Sequence, residues 1–145
     1  MKKSITLVIF LFLLLIVSGC GDATSSKSQT AITPTIEVKS EEIINDYIRD
    51  QTSAEQKYKN KNVKLTGKVV TKGQFKNSSN FFIVTEIKQL SGKTYEIVVD
   101  YPTDMVKDVN STKNNDFIVV EGKFVGIVPQ DNPTIISIQM HATAK

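Results

Sequence analysis

Hydrophobic and polar positions along the chain change their period near residue 60. Before it, Ile44, Tyr47, Ile48, Gln51, Ala54 and Tyr58 recur at the spacing of one helical face. Ser40 precedes this stripe as a candidate N-cap, and Glu41 and Glu42 follow where the positive end of a helix favours carboxylates. After Asn60-Lys61 the period falls to two. Val63, Leu65, Gly67 and Val69 alternate with Lys64, Thr66 and Lys68, which predicts a strand over residues 62–70. Lys72-Gly73 and Asn77-Ser78-Ser79-Asn80 bracket a predicted loop. A second strand is predicted over residues 81–88. Gly92 marks the next turn, and a third strand over residues 94–101 sets Ile97 and Val99 opposite Glu96, Val98 and Asp100 until Pro102 ends it. Residues 104–109 predict a short helix, residues 116–127 a fourth strand, and residues 134–141 a fifth after the turn around Pro129, Asn132 and Pro133. The sum is a mainly all-β domain, a five-stranded closed barrel behind a leading α-helix, with half of each strand facing inward.

The N-terminus follows a different pattern. Lys2 and Lys3 precede an apolar run over residues 5–17, interrupted only by Thr6 and shorter than the roughly 20 residues a spanning helix needs. It ends in Val17-Ser18-Gly19-Cys20, which resembles a lipobox: an aliphatic residue, two small residues and a cysteine. That resemblance implies a signal peptide over residues 1–19, cleavage between Gly19 and Cys20, and lipidation of Cys20. The protein would then be held on the extracytoplasmic side of the cell membrane. An uncleaved helical anchor is the alternative, and it also keeps the domain at a membrane. Residues 20–39 are rich in Ser, Thr, Ala and Asp and predict a flexible tether reaching about 25 Å, which leaves residues 40–145 as one domain.

Charge and chemistry narrow the function. Of 18 basic side chains, Lys2 and Lys3 leave with the signal, so sixteen remain against 15 acidic ones, a net of +1. That is no electrostatic footprint for nucleic acid. Arg49 is the only arginine, which counts against phosphate recognition and against phosphodiester chemistry. Cys20 is the only cysteine, so the domain has neither a disulfide nor a thiolate metal site. His141 is the only histidine and has no cysteine nucleophile to serve. Asp100, Asp104 and Asp108 recur every four residues but lack the glycine and terminal glutamate of a calcium loop. The expectation is a protein without catalysis, metal or cofactor.

Two segments echo one another: residues 63–69 and 118–124 share aliphatic-x-aliphatic-x-Gly-Lys-apolar, with Gly67 and Gly122 as expected bends. First and fourth strands of OB barrels curl strongly, and these glycines fall there. With Tyr47, Ala54 and Tyr58 in the helix, Lys61, Val-x-Leu-x-Gly-Lys-Val at residues 63–69 and Val-x-Gly-x-Phe-x-Gly at residues 120–126, the chain from residue 40 to 140 resembles the tRNA-anti-like family of exported OB-fold domains. It departs at Asp50, where the family commonly has Asn, and at Asn60 and Asn115, where it has Gly. The resemblance implies a fold and leaves the activity open. OB folds commonly bind extended ligands on the outer face of their second and third strands. Phe82, Val84 and Val98 are expected to point outward there, bordered by Glu86 and Glu96, for an envelope protein or glycan partner. The alternative is single-stranded nucleic acid, whose matching lysines would be Lys64 and Lys68.

Overall fold

The computed structural model describes residues 34–144. The expected signal peptide over residues 1–19, Cys20 and the expected tether up to residue 33 lie outside them. Within the helical stripe Ile44, Tyr47, Ala54 and Tyr58 are all buried, together with Ile43. Two helices carry it, not the single one expected. α1 (Ser40–Arg49) stops at Asp50, whose backbone is extended (φ −158°, ψ 101°), and α2 (Gln51–Tyr58) starts again beyond it. Asp50 is the N-cap of α2, accepting from the Ser53 N–H at 3.2 Å and its hydroxyl at 2.6 Å. Ser40 is not the cap of α1. Lys39 holds that position without a side-chain bond, and the buried Ser40 hydroxyl donates to Thr85 Oγ1 at 2.8 Å.

The strands are β1 (Ile36–Lys39), β2 (Asn62–Lys68), β3 (Thr71–Gln74), β4 (Phe81–Leu90), β5 (Lys93–Tyr101), β6 (Phe117–Val128) and β7 (Ile135–Ala142). They form one sheet in the order β1-β2-β6-β7-β5-β4-β3, parallel at β1–β2 and β5–β7 and antiparallel elsewhere. The strand count is therefore seven and not the expected five, for two reasons. Residues 36–39, assigned to the tether, pair with β2 from Ile36↔Val63 to Lys39↔Thr66, so the domain begins before residue 40. The expected first strand also divides at Val69-Val70 and continues as β3 through residues expected in a loop. The Val69 N–H goes to the Asp116 carbonyl and the Val70 N–H to the Val84 carbonyl, both at 2.8 Å. This one segment thus links the residue just before β6 to β4, although two other strands separate β6 from β4 in the strand order.

Between β5 and β6 the expected short helix appears as a 3-10 turn (Thr103–Met105) and α3 (Val106–Ser111). Its C-terminal carbonyls are satisfied from β3. Lys72 Nζ donates to Val109, Asn110 and Thr112 carbonyls at 2.8, 3.1 and 2.5 Å.

The helices are fastened to the sheet by the residues that carry the family resemblance. Phe124, without solvent exposure, packs against Tyr58 and Tyr47 at ring-centre distances of 5.5 and 6.4 Å. Glu55 accepts from the Tyr47 hydroxyl and the Ile127 N–H, both at 3.0 Å, and pairs with Lys59. Its carboxylate occupies the space a Cβ at Gly126 would need, 2.7 Å away. Asp46 accepts from Tyr58 at 2.7 Å, Lys57 at 2.8 Å and Arg49 at 2.6 Å. Burial alone would raise the Asp46 carboxyl, but the bonds from Lys57 and Tyr58 and the charges of Lys57 and Arg49 outweigh it and hold it below its ordinary value. The Tyr58 hydroxyl is pushed up to about 12, by burial first.

Gly67 and Gly122 are not where the strands are irregular. The register shifts fall between Val84 and Glu86 and between Phe124 and Gly126, the latter at φ 98°. Gly67 and Gly122 are instead sites of close approach: a Cβ would lie 2.2 Å from Ser40 Oγ at the first and 2.0 Å from the His141 carbonyl oxygen at the second. Asn60 (φ 61°) and Asn115 (φ 75°) do take the left-handed backbone expected where the family has Gly. Among the described residues no helix is long and apolar enough to cross a membrane.

Candidate functional site

Alternation along β4, β5 and β7 turns one face of each toward the core and one away. Ile83, Ile97, Val99, Ile138 and Met140 enter the core cluster, whereas Val84 and Val98 are buried but outside it. Cross-strand register lines the outer residues into rows. Val84, Val98 and Gln139 form one, and Phe82, Asp100 and His141 the next. Glu96 lies beside Ser137 and accepts from its hydroxyl. The four residues expected to bind a ligand, Phe82, Val84, Glu96 and Val98, therefore converge. They line one cavity of about 260 Å³ with Phe75 from the β3–β4 loop, Gln130 from the β6–β7 loop, and Ser137 and Gln139 of β7. Val84 and Val98 form its floor, at 4% and 9% exposure, rather than an open patch.

Glu86 is not part of this face. The irregularity at Thr85 pairs Glu86 with Ile97, so it turns to the core side, and Ile87 takes the place beside Glu96. Burial, then the neighbouring Glu41 charge, raises the Glu86 carboxyl above its ordinary value.

Phe82 lies over Gly73 of β3, where a Cβ would come within 2.8 Å of its ring, and Phe75 packs on it at 5.0 Å between ring centres. A second cavity of about 360 Å³ shares Phe75 and Gln139 and extends the groove toward Lys76, Asn80 and Asp100. There His141 Nδ1 and Asp100 Oδ2 are 2.9 Å apart, so the histidine has the carboxylate partner that was not expected. Asp100 Oδ1 is buried without a partner among the described residues. Asp104 and Asp108 lie elsewhere, beside a separate cavity between α3 and β6, so the every-fourth-residue spacing does not assemble three carboxylates. Lys64 is paired with Glu37 at 2.9 Å on β2, away from this groove. Sequence reasoning missed Phe75, Ser137 and Gln139. The last two are visible as the polar positions of the fifth expected strand, but their place beside β5 follows from a parallel pairing between strands 41 residues apart.

The tRNA_anti-like family model matches residues 1–137. No curated protein matches the chain in sequence. Among solved structures, it is similar to a "putative nucleic acid-binding lipoprotein" from Klebsiella pneumoniae, with 17% identity over 74% of this chain and 87% of that one and a TM-score of 0.49. A putative aspartyl-tRNA synthetase from Leishmania major shares 14% identity over 86% of this chain but only 22% of its own length, at TM-score 0.45. An OBody bound to hen egg-white lysozyme shares 14% over 58% and 79%, at TM-score 0.40.

Proposed function

The chain belongs to the tRNA-anti-like family, and from that premise we propose a membrane-anchored lipoprotein that displays a non-catalytic OB-fold module for a protein or glycan partner at the envelope. The barrel reading is supported by the strand order. With β2 and β3 taken as the two halves of one kinked strand and β1 as an added edge, the order becomes the closed OB arrangement 1-4-5-3-2-1, with a helix between its third and fourth strands. The lipid anchor rests on the lipobox ending at Cys20.

One observation carries the binding role: the groove on the outer face, where two aromatic rings and two valines make an apolar floor and Glu96, Ser137, Gln139 and Asp100 supply hydrogen-bonding groups. Chemistry is not favoured, because among the described residues no hydroxyl is hydrogen-bonded to His141 and the Ser137 hydroxyl is given to Glu96. Single-stranded nucleic acid is the competing ligand, since the Phe75–Phe82 pair could stack bases. Against it, Glu96 and Asp100 put two carboxylates into the groove, and among the described residues lining it Lys76 is the only lysine.

Titration with envelope glycan fragments and envelope proteins, alongside a labelled oligonucleotide at two salt concentrations, tests this reading. Phe82→Ala should weaken binding about tenfold, and Lys64→Gln or Lys68→Gln by less than about threefold, because a partly buried aromatic contributes more than exposed charges. Sub-micromolar oligonucleotide binding with a log–log salt slope near −0.7 per contacted phosphate would overturn it.

A further inference from the structure

The cavity between the Thr103–Ser111 segment and β6, about 550 Å³, shares no residue with the groove. One of its walls is a strand edge. β2 pairs with β6 from Phe117 to Lys123, whereas β7 pairs with the other side of β6 only from Gly122 to Val128. The last described rung on that second side is the Thr143 N–H, donated to the Glu121 carbonyl at 2.9 Å. In an antiparallel ladder both backbone groups of a residue point the same way, and the direction alternates along the strand. Val119, two residues before Glu121, therefore turns its N–H and C=O toward the cavity, where no described backbone group pairs with them.

The remaining walls have a definite charge. Asp104, Asp108 and Glu121 line the cavity, and no lysine, arginine or histidine does. Tyr101, 4% exposed, also lines it, and its hydroxyl has no hydrogen-bond partner among the described residues. Burial, then the Asp108 charge, raises that hydroxyl above its ordinary value, so it stays a neutral phenol. On the outer surface of the same strand Phe117 is 78% and Val119 54% exposed, the largest exposures of any large apolar side chain among the described residues.

We infer that this edge takes an extended basic peptide as an added strand. Its backbone pairs with Val119 and its outward side chains are apolar, covering Phe117 and Val119. Its inward side chains are lysines or arginines that reach Asp104, Asp108 and the Tyr101 hydroxyl. Main-chain pairing supplies affinity, and the alternation of apolar and basic positions supplies selection. Charge sets the occupant, because the inward side chains of an acidic strand would face Asp104 and Asp108 with no base lining the cavity.

The test uses the full chain in a non-ionic detergent, with an alternating Lys-Val octapeptide and its Glu-Val counterpart as probes, followed through backbone amide chemical shifts. The Lys-Val peptide should move the amides of residues 117–121 and 143, and the Glu-Val peptide should not. Asp104→Asn and Asp108→Asn together should weaken the response about tenfold, since exposed ion pairs are each worth a few-fold in affinity. Both side chains are exposed, so the double variant should keep the parent's thermal midpoint. Phe82→Ala should leave this response unchanged, which separates this edge from the groove. Absence of shifts, equal response to the two peptides, an unaffected double variant, or shifts centred on β4 and β5 would each overturn the inference. Concentration-dependent shifts of the same amides without peptide would also overturn it, showing that a second copy occupies the edge.

Discussion

Gly122 stands opposite Val63 on one side and Ala142 on the other, and a Cβ there would lie 2.0 Å from the His141 carbonyl oxygen and 2.9 Å from Met140 Cε. Backbone on a neighbouring strand cannot yield as a flexible side chain can. Gly122→Val should therefore cost about 1–3 kcal/mol through overpacking. A urea or thermal midpoint unchanged within error would contradict this. Asp46 offers a second residue-scale test. Its folded-state carboxyl is held below the unfolded value, so its contribution is complete above roughly pH 4 and is lost as pH falls through the folded value. Asp46→Asn should be less stable than the parent near neutrality and show a flatter loss of stability as pH falls below about 4. Chemical denaturation at a series of pH values reads both. Parallel profiles would mean that Asp46 is not linked to folding.

At the scale of elements, the junctions decide the shape. The helical stripe survives a break at Asp50 because that residue caps α2, so in a thermal melt Asp50→Ala should lower the midpoint while Asp50→Asn stays near the parent's. The same logic explains why Asp is an acceptable replacement for the family's Asn. Lys72 joins β3 to the C-terminus of α3 by three hydrogen bonds to carbonyls. Lys72→Met should cost about 1–3 kcal/mol and accelerate hydrogen exchange in α3, leaving β5 and β7 protected. Uniform acceleration across the sheet would show that the bond is not local in its effect. These elements were partly legible in the chain. The alternations at residues 62–70 and 94–101 needed only local sterics, and the left-handed positions at Asn60 and Asn115 were expected from the glycines the family has there. The division at Val69-Val70 was not legible, because it depends on which strand each N–H meets.

For the whole molecule, the strand at residues 36–39 puts the start of the folded domain before residue 40. Cys20→Ser should abolish incorporation of a labelled fatty acid and release the protein from the membrane fraction, since a hydroxyl cannot form the thioether. Equal labelling of both forms would remove the anchor from the proposal.

Period and composition by themselves determined that the chain is mainly β behind a helical stripe and that Val63, Leu65, Ile97 and Val99 face the core, whereas the outer face of the second and third expected strands was singled out by the OB-fold resemblance. The first two properties follow from side-chain alternation and local backbone preference, which act over a few residues. Only the tertiary structure decided the strand count, the turn of Glu86 away from the groove, the parallel pairing that brings Ser137 and Gln139 beside Glu96 and Val98, and the open edge at Val119. Each depends on hydrogen bonds or packing between residues tens of positions apart, and a pattern of period two is the same whichever strand lies next to it.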